Sequence, residues 1–271
     1  MHFSQFSQDE IARIAAMEWG NYAATLPAAQ VTVGLDVVMR EDVVITRSEL
    51  FPSPDANHAC LLRATPQTAD ALIAEVIAYF RSKGLPATVF LSPACTPADL
   101  PARLTRQGFV KQEAEEAWIA LEHLLDFDIP APFAHVVVEQ VTPENVHTFA
   151  KIFLTAFDMP VDFAAYMAQL LAPSLNLPTI HHYLALVDGQ PAGVMSLLRY
   201  ENLGVFGSGG VLPAYRKRGV ATNLTIRAAV DARAHGVDTL IGQTKAGTAL
   251  EQLLCIAGFR RVFTRTCYTL P

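Results

Sequence analysis

The chain has 271 residues, which at roughly 150 residues per domain leaves room for one or two domains with a sizeable core. Hydrophobic residues make up 51% and charged residues 17%, a balance that excludes long disorder and fibrous repeats. A net charge of −6 supplies no basic face for nucleic acid. Mean hydropathy is +0.26, yet every apolar run is broken by a charge, Pro or Gly well before the ~18 residues that a membrane span needs. A soluble chain with no nucleic-acid and no membrane partner is therefore expected. Residues 1–10 carry no basic segment followed by an apolar one, so the expected compartment is cytoplasmic. Cys60, Cys95, Cys255 and Cys267 form no CxxC pair and have no zinc-spaced histidine, which reads as free thiols. His181 and His182 are the one histidine cluster, and strand neighbours point to opposite faces, so no metal site is expected.

In chain order, Ser7-x-x-Glu10 reads as a capping box opening a helix whose apolar face is Ile11, Ile14, Ala15, Trp19 and Tyr22. The Val- and Ile-rich stretch 31–48 predicts two strands around a hairpin tip at Arg40-Glu41-Asp42. Thr65-Pro66 reads as N-cap and first helical residue, with Leu72, Val76 and Phe80 inward and Gly84 as the stop. A buried strand follows from Ala87, then a helix opened by Thr96-Pro97-Ala98-Asp99 and ended near Gly108, then a strand through 109–122. The Pro-bearing stretch 126–133 reads as a linker.

Beyond it, residues 135–141 predict a strand, and Thr142-Pro143-Glu144 caps a helix running to Phe157. Asp158-Met159-Pro160 breaks it, and a further helix from Asp162 carries Phe163, Tyr166, Met167, Leu170 and Leu171, read as core. Asp188-Gly189 between two apolar runs is a strong hairpin signal. The second half repeats the grammar of the first. A helix, a strand, a short helix, Gly-Phe and a strand follow one another in both, with Arg81 corresponding to Arg233 and Gly108 to Gly258.

The strand holding Gly207, Gly209 and Gly210 is weakened where β structure is otherwise expected, which invites a bulge or a close ligand approach. It leads through Pro213 into Arg216-Lys217-Arg218-Gly219 and a helical face of Val220, Leu224, Ala228 and Ala232 ended by Gly236. A helix N-terminus presents free amides and the positive end of its dipole, so this loop suits a diphosphate. Here the sequence resembles the GNAT superfamily of N-acyltransferases, whose strand ending V-x-P and loop [RQ]-x-x-G-x-[GA] read as Val211-Leu212-Pro213 and Arg216-Lys217-Arg218-Gly219-Val220-Ala221.

The resemblance runs from about Phe133 to Pro271 and implies an α/β (α+β) fold. Two GNAT-like domains are expected, each a mixed, mostly antiparallel sheet flanked by helices. They are placed at 1–125, a degenerate copy, and 134–271, the acyl-CoA-binding copy, joined by 126–133. The first half is degenerate because Arg63-Ala64-Thr65-Pro66 stands where the pyrophosphate loop should be, without its glycine. The implied co-substrate is acetyl-CoA, held by Val211, Leu212, Arg216, Lys217, Arg218, Gly219, Val220, Ala221 and Thr222. The implied reaction is direct attack of a primary amine, on a small molecule or peptide, upon the thioester. A homodimer is allowed.

Relatives commonly place a tyrosine, which protonates the departing thiolate, four residues before the Gly of Gly-Phe; here that position is Leu254. Cys255 and Tyr268 are the nearby replacements. The strand carboxylate used as a base in some relatives is replaced by Val205, leaving Glu201 as a loose candidate. The competing reading is a non-catalytic acyl-CoA-binding sensor. A nucleotide-binding reading of Gly207-Ser208-Gly209-Gly210 fails because Pro213 and its neighbours intervene before the helix.

Overall fold

The computed structural model describes residues 6–49, 51 and 53–271. In chain order its elements are α1 (Gln8–Val31), β1 (Leu35–Met39), β2 (Val44–Ser48), β3 (His58–Cys60), α2 (Ala69–Ser82), β4 (Ala87–Leu91), α3 (Leu100–Arg106), β5 (Val110–Leu121), β6 (Val136–Gln140), α4 (Val146–Ala156), α5 (Ala164–Leu171), β7 (Ile180–Val187), β8 (Gln190–Tyr200), β9 (Leu203–Val211), α6 (Val220–Ala234), β10 (Thr239–Lys245), α7 (Ala249–Ile256) and β11 (Arg260–Leu270). The fold is mixed α/β, with mostly antiparallel strands flanked by helices. Two compact units emerge. Unit 1 holds the residues through Ala29, Gly34–Ala120 and Gln243–Pro271; unit 2 holds Gln30–Val33 and Leu121–Gly242. Residues 126–133, expected as a linker, fall in unit 2, and the closing segment expected in the second domain falls in unit 1.

In unit 1 the capping box forms as expected. Ser7 N–H donates to Glu10 Oε2 at 2.7 Å, and Glu10 N–H donates to Ser7 Oγ at 3.2 Å. α1 runs on through Val31, so the first strand begins at Leu35 rather than at Val31. α2 starts at Ala69, later than the expected Thr65. The reason is local: Thr65 N–H donates to Thr68 Oγ1 and Thr68 N–H to Thr65 Oγ1, at 3.0 and 3.3 Å, closing a turn ahead of the helix.

The strand order in unit 1 is β1-β2-β3-β4-β11-β5. β11 thus lies between β4 and β5 and is antiparallel to both, with Tyr268 opposite Val89 on one side and Lys111 on the other. This explains the placement of the closing segment, because the last strand of the second repeat finds its partners in the first. On one face, Leu72, Val76 and Phe80 of α2 and Leu100 and Leu104 of α3 pack with Val89, Leu91 and Tyr268.

Unit 1 also buries a charged network that the sequence pattern does not announce. Glu18 (0% exposed) sits on the stripe of α1 with Ile14 and Tyr22, and Arg265 (2% exposed) comes from β11. Arg265 Nε donates to Glu116 Oε2 at 2.7 Å, and its Nη1 donates to Tyr22 Oη at 2.8 Å and lies 3.4 Å from Glu18 Oε1. The guanidinium is sandwiched between the Phe90 and Trp118 rings, at 4.5 and 4.9 Å from their centroids. Ser92 Oγ donates to Glu18, and Tyr22 O–H donates to His58 Nε2 at 2.6 Å, the other ring nitrogen donating to Pro54 O. Burial pushes the His58 pKa down to about 3, so this imidazole is neutral and can accept.

Unit 2 orders its strands β10-β9-β8-β7-β6. The Asp188-Gly189 turn closes β7 and β8 as expected, with φ of 52° and 75°. α4 starts at Val146, after Thr142 N–H donates to Asn145 Oδ1 at 2.8 Å. Asp162 lies in a short 3-10 turn before α5. The stripe read as core is only partly so. Met167 is buried, but Phe163 is 50% and Tyr166 48% exposed, because the helical period fixes which residues share a face and not whether anything covers it. His182 is held between Ser174 Oγ at 2.8 Å and Ser196 Oγ at 2.7 Å, and burial lowers its pKa to about 4. His181 lies instead beside Tyr183 and His235. Among the described residues no helix is long and apolar enough to cross a membrane, and no group of three or more His, Cys, Asp or Glu side chains is arranged to hold a metal ion.

Candidate active site

The helical face Val220, Leu224, Ala228 and Ala232 is buried at 0–1% exposure, which seats α6 against the sheet of unit 2. The first intrahelical bond runs from Asn223 N–H to Gly219 O at 2.9 Å. The amides of Val220, Ala221 and Thr222 therefore lie ahead of the ladder, and no side chain caps them. Gly219 has φ +78°, the left-handed region, which aims this turn without a Cβ penalty. A second constraint acts on it: a Cβ there would lie 2.5 Å from Phe133 Cδ2.

Phe133 is fixed in place by Asn223, a residue the sequence analysis did not single out. Asn223 Oδ1 accepts from Phe133 N–H at 2.9 Å, and its Nδ2 donates to Phe133 O and Val136 O at 2.9 and 2.8 Å. His135 Nε2 donates to Arg218 O at 3.1 Å. The end of the 126–133 stretch is thus pinned to the first turn of α6. The only sequence signal was an asparagine beside the buried helical face, which reads as a neutral choice without the fold.

Three cations precede the helix. Arg216 and Lys217 are exposed, and Lys217 has φ 60°. Arg218 lies 3.3 Å from Asp188 Oδ2 and 5.5 Å from the Tyr215 ring. Both partners of that ion pair are well exposed, so it holds the side chain only weakly. The cations add to the dipole at the α6 N-terminus, and the arrangement suits a polyanion.

Upstream, β9 carries the bulge that its glycines predict. Gly210 pairs with Val194 and Gly207 with Ser196, so Ser208 and Gly209 together oppose Met195, and Ser208 takes φ 50°. Gly210 lets α4 approach, since a Cβ there would lie 2.7 Å from Ala156 Cβ. The parallel register with β10 ends at Ile241 opposite Val205, while Phe206, Gly207, Gly210 and Val211 stay paired with β8 on either side of the bulge. The bulged, glycine-rich end of β9 thus leads through Val211 and Leu212 to the bare helix terminus. Leu212 N–H donates to Ala192 O at 2.9 Å, which ties that approach to the sheet.

The catalytic candidates are not assembled around this turn within unit 2. Glu201 sits at the exposed β8–β9 hairpin tip with φ 51°. Leu254 and Cys255 lie on α7 in unit 1, Cys255 exposed. Tyr268 lies on β11 in the core of unit 1, 6% exposed, with its pKa raised by burial.

Comparison with known proteins fits this geometry. Residues 147–252 match the sequence profile described as the Acetyltransferase (GNAT) family. A search of curated proteins finds no match. Among solved structures, the chain is similar to a GCN5-related N-acetyltransferase from Kribbella flavida, at 17% identity over 96% of this chain and 95% of that one, with a TM-score of 0.67. It is also similar to a tandem GNAT protein from the clavulanic acid biosynthesis pathway (12% identity, 99% and 96% covered, TM-score 0.63). A third is a GCN5-related N-acetyltransferase from Sphaerobacter thermophilus (16% identity, 94% and 90% covered, TM-score 0.58). The GNAT family uses acetyl-CoA as co-substrate. With its bulged strand and its glycine-led helix, the segment 147–252 belongs to the GNAT acetyltransferase family, on a fold that this chain shares over nearly its whole length with a tandem GNAT protein.

Proposed function

We propose that this protein transfers an acyl group from acetyl-CoA to a primary amine by direct attack, using unit 2 as the acyl-CoA-binding half and unit 1 as a degenerate GNAT copy without its own pyrophosphate loop. The observation that carries the reading is the uncapped first turn of α6 behind a left-handed glycine, next to a bulged strand and three cations. The amides of Val220, Ala221 and Thr222 bind the diphosphate, and Arg216 and Lys217 screen its charge. The glycine-rich end of β9 leaves its backbone open to the pantetheine arm.

Acetyl-CoA supplies the activated thioester. The amine must arrive neutral, and with an alkylammonium pKa of roughly 10 it loses its proton to water or a weak base first. A thiolate of pKa roughly 8.5 leaves tolerably without an acid. Leucine at position 254 is therefore compatible with turnover at a cost of about 10² to 10⁴ relative to an enzyme with a positioned acid. The same leucine, together with Glu201 at an exposed hairpin tip, favours the second reading, a non-catalytic acyl-CoA sensor.

Thermal unfolding in acetyl-CoA tests the binding half. Ligand at 100 times its dissociation constant should stabilise the protein by about 2.7 kcal/mol. Ala221→Pro keeps a first-turn helix position that tolerates proline and deletes one amide donor, so affinity should fall roughly 10- to 100-fold. Full affinity in that variant refutes the site. Release of free CoA thiol across a panel of primary amines separates enzyme from sensor.

A further inference from the structure

Unit 1 contains a hollow of about 270 Å³ between β4, α3, β5 and β11, just below the roughly 300 Å³ at which ordinary ligand pockets begin. One wall is apolar, made by Leu91, Pro101 and Ala102. Three polar side chains line the rest, and the strand register explains why they converge. Lys111 stands directly opposite Tyr268 across the β5–β11 pair, and Thr266 is two residues from Tyr268 on the same face of β11. Lys111 has no ion pair among the described residues. Tyr268 is 6% and Thr266 8% exposed, and neither hydroxyl has a protein hydrogen-bond partner among the described residues; neither oxygen is sealed from solvent, so the exposure that remains includes these polar tips. Two hydroxyl donors without a protein partner beside an uncommitted ammonium leave a set of donors converging on the hollow, which an anion can complete.

We propose that this hollow binds a small carboxylic acid with a short aliphatic body, one carboxylate oxygen meeting the Lys111 ammonium and the other the hydroxyls of Tyr268 and Thr266. The chemistry of the rim narrows the class. Asp99 also lines the hollow, with its carboxylate bound by Arg103 at 3.0 Å, and a fixed negative charge there disfavours a dianionic phosphate over a monoanion. The apolar wall favours an alkyl chain over a polar one. This site lies wholly in unit 1 and shares no residue with the α6 terminus, so it stands or falls independently of the acyl-CoA reading.

Hexanoate is the probe, with hexanamide as its neutral isostere, and binding is read by isothermal titration calorimetry on the full chain. Hexanoate should bind at least about tenfold more tightly than hexanamide, since a charge-assisted pair is the stronger one. Lys111→Met should weaken hexanoate by about tenfold or more and Lys111→Arg should largely restore it. Tyr268→Phe and Thr266→Val should each weaken it by roughly three- to tenfold. Lys111 is exposed, so its variants should keep the parent far-UV circular dichroism and the parent response to acetyl-CoA. No detectable hexanoate binding up to about 10 mM, equal binding of hexanamide, or an unchanged affinity in Lys111→Met would each overturn the proposal.

Discussion

Replacing Arg265 by methionine removes the centre of the buried network in unit 1 while keeping an apolar stem between the Phe90 and Trp118 rings. The change leaves the Glu18 carboxylate, the Glu116 carboxylate and the Tyr22 hydroxyl without their common donor. The side chains of Arg265 and Glu18 are 3% and 0% exposed, so water does not replace what is lost. Breaking a buried pair of this kind costs about 3–5 kcal/mol. That is a large part of an ordinary stability of about 5–15 kcal/mol. At roughly 2–4 °C per kcal/mol for a chain of this size, the transition should fall by about 6–20 °C. Differential scanning calorimetry and urea titration read it directly. The double variant Arg265→Met with Glu18→Gln should recover part of the loss, because an uncompensated charge is then replaced by a neutral amide. The deficit should also depend on pH. Burial already pushes Glu18 upward while Arg265 opposes that shift. Without Arg265 the folded-state pKa rises further above the unfolded value near 4.3, so the native state holds a proton that the unfolded chain gives up. Stability is then greatest below the unfolded pKa and falls as pH rises through the folded one. The deficit at pH 8 should exceed that at pH 5. A loss below about 1 kcal/mol at pH 8, or no recovery in the double variant, would show that the network is decoration and not a keystone of unit 1.

Gly219→Ala should destabilise unit 2 by about 1–3 kcal/mol from the left-handed backbone and the Phe133 clash; Phe133→Ala in the same chain should remove the clash component, and unfolding curves that show no rescue would refute that contact. Gly210→Ala should push α4 off the bulged strand and weaken acetyl-CoA binding in a thermal-shift titration, whereas parent-like binding would mean the close approach to Ala156 is dispensable. Cys255→Ala should cost under about tenfold in kcat, below the range of a general acid, and Leu254→Tyr should raise turnover or, if position 254 lines an acyl channel, raise KM for longer acyl-CoA esters. A thousandfold loss in Cys255→Ala with binding intact would name the missing acid instead. A chain beginning at Asp126 should express poorly and sediment as aggregate, because β11 would lose both β4 and β5; a soluble, fully active product would show that the halves are independent.

Much of the fold is legible where the signal is local. Ser7 and Glu10, Asp188 and Gly189, and the positive-φ glycines at 84, 108, 236 and 258 each mark a boundary through chemistry confined to a few residues. The site was legible for a related reason: Gly207, Gly209 and Gly210 mark the bulged strand and Gly219 opens the helix from the left-handed region, whereas the positive-φ residues Ser208 and Lys217 beside them carry no such mark in the sequence. What stayed hidden depends on partners distant in sequence. Glu18 reads as a polar interruption of an apolar stripe until Arg265, 247 positions away, supplies its counter-charge. The exposure of Phe163 and Tyr166 depends on what covers a face, which periodicity does not encode. The destination of β11 was hidden by the repeat itself. Both halves end in Gly-Phe and a strand, and only pairing decides that the second closing strand joins the first unit.

That pairing sets a timetable for synthesis. β4 and β5 leave the ribosome long before β11, and all of unit 2 except Gln30–Val33 is made after them and before it. At roughly 5–20 residues per second, the ~150 residues separating them take about 8–30 s. Unit 1 spends that interval with a gap in its sheet, two strand edges unpaired and the Glu116 carboxylate waiting for its guanidinium, while unit 2 can already close. The N-terminal half of the chain is therefore the last to mature, and the half most in need of a chaperone's shelter while it waits.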